Sequence, residues 1–210
     1  MRIVLEAIRL ACTRGDSALF TSLSFRVEQG SILRIAGPNG SGKTSLLRLL
    51  CGLRQPDDGD IRWRGASIYS SRENYHSEVT YIGHANALKD ELLVEENLRF
   101  ALRLNGGSPT DDTIHQALES AGLAHLAGMR VRALSVGQRR RVALTRLALS
   151  RAPLWILDEP FVALDQSAVA ALAKYLEDHV DGGGSIVYTS HEDVPLRVSR
   201  AAEVHLGYVG

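Results

Sequence analysis

The stretch Gly37-Pro38-Asn39-Gly40-Ser41-Gly42-Lys43-Thr44 limits what this chain can fold into more than any other feature, because it matches G-x-x-x-x-G-K-[ST] in full. The apolar run Ile32-Leu33-Arg34-Ile35-Ala36 precedes it and reads as a buried strand. Leu46, Leu47, Leu49 and Leu50 follow in an apolar helix pattern. A strand, a glycine-rich turn and a helix in that order gather backbone N–H groups and the positive end of a helix dipole around one anion. The expected ligand is the phosphate chain of a nucleoside triphosphate, held by Gly37 through Thr44 and the adjoining Ser45. Lys43 is expected on the β- and γ-phosphates, and Thr44 on Mg²⁺. The loop alone specifies a nucleoside triphosphatase without saying which kind.

The rest of the pattern supplies the fold class. Leu154-Trp155-Ile156-Leu157-Asp158 and Ser185-Ile186-Val187-Tyr188-Thr189 are two further short apolar runs of the kind that form buried strands. Ile114, Ala117, Leu118 and Ala121 share i, i+3, i+4, i+7 spacing, as do Val169, Leu172, Ala173 and Leu176, so each set marks an amphipathic helix. Strands alternating with helices imply a parallel α/β sheet. Val4, Leu5, Leu23, Phe25 and Val27 suggest instead an antiparallel β flank near the N-terminus. The expectation is one domain over residues 1–210: an α/β P-loop core, that flank, and a helical subdomain at about 85–150.

Composition narrows the job. Lys plus Arg equals Asp plus Glu at 24 each, so the chain lacks the positive field that draws proteins to nucleic acid, and no nucleic-acid partner is expected. Cys12 and Cys51 stand far apart with no metal or haem-attachment spacing, so no direct haem site is read. Glu6 interrupts Ile3-Val4-Leu5 and Arg9 follows, which leaves no apolar region of a signal peptide. The most apolar stretch, Val142 to Leu164, is broken by Arg146, Arg151, Asp158 and Glu159, so a membrane span is not expected there.

Two more constellations carry chemistry. Asp158 and Glu159 end the apolar run that begins at Leu154, and paired carboxylates at the end of a buried strand are costly unless a cation is bound. Leu134-Ser135-Val136-Gly137-Gln138 introduces a helix-like run, and a Ser and a Gly at a helix N-terminus form a second anion site. A second anion site is redundant with the first unless another subunit's nucleotide fills it, which implies a dimer. The Arg139-Arg140-Arg141 run behind it reads as a solvated helix face.

Together these segments resemble the ABC ATPase family: Gly37–Thr44 its phosphate loop, Ser135–Gln138 its LSGGQ signature, and Leu154–Glu159 its acidic strand. The resemblance implies a head-to-tail homodimer in which each ATP lies between one copy's phosphate loop and its partner's Ser135, Gly137 and Gln138. It implies further that Asp158 holds Mg²⁺ through water and that Glu159 polarises the attacking water. Ala163-Leu164-Asp165 falls where the family has its D-loop, and His191 where it has a switch histidine contacting the γ-phosphate. Two positions depart from the family pattern. His84 stands where most members carry a metal-contacting Gln; a neutral imidazole can coordinate or donate, and its charge can change near physiological pH. Arg14 is the nearest candidate to stack on the adenine, with a solvated loop charge as the equal alternative.

Within the family, Tyr81-Ile82-Gly83-His84, Glu96-Asn97-Leu98-Arg99-Phe100, Leu134 through Leu144 and Leu154 through Phe161 are similar to the cytochrome c maturation (CcmA) branch. That resemblance implies a peripheral subunit on the cytoplasmic face of the bacterial inner membrane. Its integral membrane partner would resemble CcmB, with proteins like CcmC and CcmD in the complex, and haem would pass to a periplasmic chaperone. Whether haem is moved or its loaded chaperone released stays open, and an exporter of lipoproteins or small molecules is the alternative.

Overall fold

The computed structural model describes residues 2–104, 106–108, 110–191, 194 and 196–207. It falls into two compact units. The first holds residues 1–81, 152–160 and 172–210, and the second holds residues 82–151 and 161–171. Pro109, in the glycine-rich turn read from the sequence, lies outside the described residues.

In chain order the strands and helices begin with β1 (Ile3–Arg14), β2 (Ser17–Glu28), β3 (Ile32–Ala36), α1 (Lys43–Leu50), β4 (Asp58–Trp63) and β5 (Ala66–Ser67). There follow α2 (Arg72–Ser77), β6 (Val79–Ile82), α3 (Val94–Leu104), α4 (Asp111–Ser120) and α5 (Val136–Ala148). The chain then forms β7 (Leu154–Leu157), α6 (Gln166–Asp181), β8 (Ser185–Thr189) and β9 (Ala201–His205). One sheet has the order β2-β1-β4-β5, with its pairs antiparallel, and the other has the order β6-β7-β8-β3-β9. In the second sheet β7, β8, β3 and β9 pair in parallel. The fold is therefore the expected α/β class, with both the antiparallel flank and the parallel core.

The parallel strands form where they do because both of their faces are covered. Every residue of β7 and of β8 is buried, which is why these segments read as unbroken apolar runs rather than alternating ones. β1 and β2 are 12 residues each and alternate less cleanly, since register shifts interrupt their pairing. The core of the first unit brings the two sheets' apolar residues together around α1, with Leu46, Leu47, Leu49 and Leu50 fully enclosed. β9 has a mostly exposed burial pattern and no apolar run, so nothing in its sequence announces a strand. It forms by adding to the free edge of β3, from Ile32 opposite Ala201 to Ala36 opposite His205.

The second unit has its own core. Val94 and Leu98 of α3, Ile114 and Leu118 of α4, and Val142 of α5 pack with Leu123, Leu126, Val131 and Leu134. Asn97 is buried and ties down the chain before its own helix: it accepts from Lys89 N at 2.7 Å and donates to Leu93 O at 3.0 Å. Among the described residues no helix is long and apolar enough to cross a membrane.

In the first unit α6 lays an aromatic stack on β7. The rings of Trp155 and His179 lie 3.6 Å apart and 8° from parallel, and Tyr175 stacks on the indole at 5.5 Å. Burial holds the His179 pKa down to about 4, outweighing backbone contacts at Pro153 and Ser185 that act the other way. A histidine kept neutral in the folded state and free to protonate at its ordinary value of 6.5 in the unfolded chain makes the unfolded state the better proton binder between those two values. Stability should therefore be full above that ordinary value and decline as pH falls toward 4. Urea unfolding at pH 7 and pH 5 should show a loss on the order of 1 kcal/mol, discounted because the ring is partly accessible to solvent. His179→Leu should remove that part of the slope whatever it does to absolute stability.

Candidate nucleotide site

The phosphate loop runs out of β3 and into α1. Gly42 caps the helix with a left-handed backbone, φ 96°, and Leu46 N donates to its carbonyl at 2.8 Å. Gly37 begins the turn at φ 145°, where a Cβ would stand 2.4 Å from the Leu206 carbonyl oxygen, so only glycine lets the end of β9 and the loop lie together. Leu19 and Phe20 of β2 crowd Gly42 from the other side, which seats the N-terminal hairpin against the loop. Arg14 lies at that hairpin's exposed tip, paired in register with Ser17.

Lys43 is buried at 8% exposure, and its Nζ donates to the carbonyls of Gly37 at 2.7 Å and Pro38 at 3.1 Å. The ammonium is thus held inside the turn by its own loop. Ser41 Oγ is buried there without a hydrogen bond, an uncompensated polar group that a phosphate oxygen arriving in the turn would satisfy. The first turn of α1 carries no acidic residue to oppose an anion. Both observations fit a phosphate ligand.

The carboxylate pair stands across from α1. Asp158 is 2% exposed and accepts from Thr44 Oγ1 at 2.9 Å and from Thr189 Oγ1 at 2.8 Å. Thr189, at the end of β8, is enclosed completely, and its oxygen also accepts from Glu159 N at 2.9 Å. One hydroxyl therefore fastens both members of the pair. Glu159 has φ 49°, an uncommon backbone for a residue other than glycine, and it turns the side chain out of the strand direction. Its Oε2 accepts from His191 N at 3.1 Å, and its Oε1 lies 3.4 Å from His191 Nε2.

The charge on Asp158 is felt by its neighbours. Burial first and then Asp158 push the Tyr81 pKa up to about 12, and the same two causes push the Cys51 thiol far up, so both stay protonated. A carboxylate beside a threonine hydroxyl, projecting negative potential into a buried region, fits a hard divalent cation. Among the described residues no three His, Cys, Asp or Glu side chains are placed to hold a metal, so an ion at Thr44 and Asp158 would draw most of its other ligands from phosphate and water.

The signature belongs to the second unit. Ser135 caps α5 in a capping box: its Oγ accepts from Gln138 N at 3.2 Å, and Gln138 Oε1 accepts from Ser135 N at 2.9 Å. Gly137 is required by packing, since a Cβ there would stand 2.9 Å from the Ala163 carbonyl oxygen. Ala163 itself has φ 64°, and Asp165 caps the start of α6 through Ala168 N at 2.8 Å. His84 is exposed, in the irregular segment between β6 and α3.

The arginine run departs from its expected role as a solvated face. Arg139 donates to the carbonyls of Leu134 at 3.2 Å and Arg132 at 2.9 Å and pairs with Asp90 at 3.1 Å, bracing the turn that leads into Ser135. Arg141 donates to the Ala121 carbonyl at 2.6 Å, and Arg140 is buried. Their acceptors are backbone carbonyls and residues distant in sequence, which periodicity does not reveal. Thr189 was missed for a related reason: a threonine inside an apolar strand run reads as packing until the partner strand is known.

Compared with known proteins, residues 20–162 match the family described as ABC transporter. A cytochrome c biogenesis ATP-binding export protein CcmA of Aromatoleum aromaticum is 52% identical over 93% of this chain and 92% of its own length. A putative ABC transporter ATP-binding protein of Pyrococcus furiosus superposes with a TM-score of 0.82 at 25% identity, over 96% of each chain. The ATP-binding cassette MJ0796, in a dimeric structure bound to ADP and Pi, gives 0.79 at 21% identity over 90% of this chain and 88% of its own, a likeness of fold.

Thr189→Val keeps the shape of the strand and removes the hydroxyl that serves both Asp158 and Glu159 N. It should destabilise the protein by about 1–3 kcal/mol, the cost of stranding buried polar partners, as read from urea midpoints. Nucleotide hydrolysis should fall as well, because Glu159 loses its backbone anchor.

Proposed function

The chain belongs to the ABC transporter family, in its CcmA branch, and from that footing we propose that its ATPase cycle powers haem export, or release of the haem-loaded chaperone, during assembly of c-type cytochromes. The observation that carries the chemistry is the placement of Glu159. Its backbone is turned out of β7 at φ 49° and pinned by Thr189, beside a second carboxylate already bonded to Thr44.

ATP is the substrate, and its phosphates occupy the turn from Gly37 to Thr44, continuing to Ser45. Lys43 exchanges its two loop carbonyls for β- and γ-phosphate oxygens, and the N–H groups of the turn neutralise the rest. Thr44 and Asp158, with His84 as a further contact, would hold Mg²⁺, which would supply charge neutralisation on the phosphates. Glu159 accepts a hydrogen bond from the water that attacks the γ-phosphorus, and His191 keeps that carboxylate oriented. Arg14 reaches toward the adenine from the hairpin tip.

Ser135, Gly137 and Gln138 complete the site of a second copy of the chain. The support is that α5 presents an exposed, capped N-terminus, and that a cassette of the same fold is described as dimeric. The dimer docks peripherally on an integral membrane protein resembling CcmB at the cytoplasmic face of the inner membrane, with CcmC- and CcmD-like members in the complex.

Shared sites make a definite prediction. Lys43→Ala and Ser135→Arg should each abolish ATPase activity, and mixing the two inactive chains should restore one competent interface per heterodimer. Absence of recovery at every mixing ratio, with both variants folded, would remove the two-copy reading. For the physiological role, a strain carrying only Lys43→Ala should assemble the membrane complex yet fail to mature c-type cytochromes. Haem staining of membrane and periplasmic fractions checks this, and abundant covalent cytochrome would reject the haem reading alone.

A further inference from the structure

The hairpin of β1 and β2 is fastened to both ends of α1, the helix that leaves the phosphate loop. Cys12 pairs with Phe20 and Thr13 with Ala18, so Leu19 is an extra residue on β2, and this bulge sets it against Gly42 at the start of α1. The grip on β1 comes from the chain that leaves the other end of the helix. Gly52, at φ 68°, closes that end in a Schellman turn: its N–H donates to the Leu49 carbonyl at 2.9 Å, and Leu53 N donates to the Arg48 carbonyl at 3.0 Å. Just beyond the turn, Arg54 Nη2 donates to the Thr13 carbonyl at 2.8 Å. Asp57 Oδ2 accepts from Thr13 N at 2.5 Å and from Thr13 Oγ1 at 2.8 Å, while Asp57 N donates to the Ala11 carbonyl at 2.9 Å.

The N–H, the carbonyl and the hydroxyl of Thr13 are thus all engaged by Arg54 and Asp57, and every residue involved belongs to the first unit. The bonds from the hydroxyl and then from the N–H hold the Asp57 carboxyl below the usual carboxylate range, so the acceptor is ionised at neutral pH. Thr13 and Asp57 are both exposed, so their contact adds little to the apolar core. What it fixes is the strand end next to Arg14. The tip from Arg14 to Ser17 holds no aromatic ring, and a flexible side chain on an exposed turn binds a ligand at low cost only where its backbone is already ordered.

We propose that Asp57 is a positioning residue for the nucleoside end of ATP, holding the tip from Arg14 to Ser17 at a set distance from the phosphate loop so that the base meets a preformed surface. The role rests on the reading of that tip as the adenine contact. It assigns Asp57 no contact with the nucleotide. Its loss therefore weakens only a ligand that carries a base, and it acts on KM rather than kcat. Damage to the fold would instead weaken ligands with and without a base alike.

The test compares ATP with methyl triphosphate, which has the same esterified phosphate chain and no nucleoside. It uses the full chain as wild type, Asp57→Ala, Asp57→Asn, Thr13→Val and Arg14→Ala. For each, both dissociation constants are measured without Mg²⁺, kcat and KM for ATP with Mg²⁺, and the thermal midpoint as a check on folding. The wild type should bind ATP more tightly than methyl triphosphate. Asp57→Ala should raise the Kd and KM for ATP by roughly fivefold, the scale of an ordinary hydrogen bond, with methyl triphosphate affinity and kcat within about twofold of wild type. Asp57→Asn keeps an acceptor for Thr13 and should retain most of the ATP affinity, and Thr13→Val, which keeps only the N–H donor, should lie between. Wild-type ATP affinity in folded Asp57→Ala, or an equal loss for both ligands, overturns the proposal. Should Asp57→Ala not fold, Thr13→Val decides by the same criterion. Equal binding of the two ligands by the wild type would remove the adenine reading of the hairpin and this role together. A loss of ATP affinity in Arg14→Ala with none in Asp57→Ala would remove the role of Asp57 only. A selective loss in Asp57→Ala with Arg14→Ala unaltered supports that role and removes only Arg14 as the contact.

Discussion

Two buried carboxylates at the end of β7 set the terms for the rest of the first unit. Asp158 and Glu159 are 2% and 8% exposed, and such groups persist out of water only where hydrogen bonds or a cation meet them. Thr189 and Thr44 supply those bonds from β8 and α1, so the parallel order of β7, β8 and β3 is also what brings the acidic pair to the phosphate loop. A one-residue slip of β8 against β7 would turn Thr189 to the other face and leave Asp158 and the Glu159 amide without it. Register and chemistry are therefore one requirement at this point of the sheet.

The phosphate loop depends on a similar coincidence of backbone and packing. Gly37 is fixed by a strand from the far end of the chain, because the Leu206 carbonyl fills the space a side chain would need. Leu206 N closes the contact by donating to Ala36 O at 2.8 Å. Glycine in this loop thus does two things: it lets N–H groups turn toward an anion, and it lets β9 approach. The loop's own lysine occupies two of the turn's carbonyls, so the cradle keeps its cation in place.

In the second unit the arginines do the fastening. Arg139, Arg140 and Arg141 direct their guanidinium groups to carbonyls at Leu134, Arg132, Gly83 and Ala121, which closes the turns around α5. A run of three like charges in sequence suggests solvent, yet three consecutive residues of a helix point in different directions. Each found a different set of acceptors, and one became buried.

The sequence by itself determined the nucleotide chemistry and the fold class. A full phosphate-loop match between a strand and a helix, and an acidic pair closing an apolar run, are local patterns whose physical meaning needs no partner. The parallel strands were legible because burial on both faces leaves an unbroken apolar run, as at Leu154–Leu157 and Ser185–Thr189. β9 was not legible, since an edge strand of Ala201–His205 is made by the free edge of β3 rather than by its own residues. Only the tertiary structure decided that Thr189 serves two carboxylate residues, that Leu206 makes glycine obligatory at Gly37, and that Arg140 is buried between Gly83 and Asn86. Each of those facts joins residues far apart in the chain, and a hydrogen bond or a close approach depends on where the fold places both partners, which no periodicity in one segment encodes.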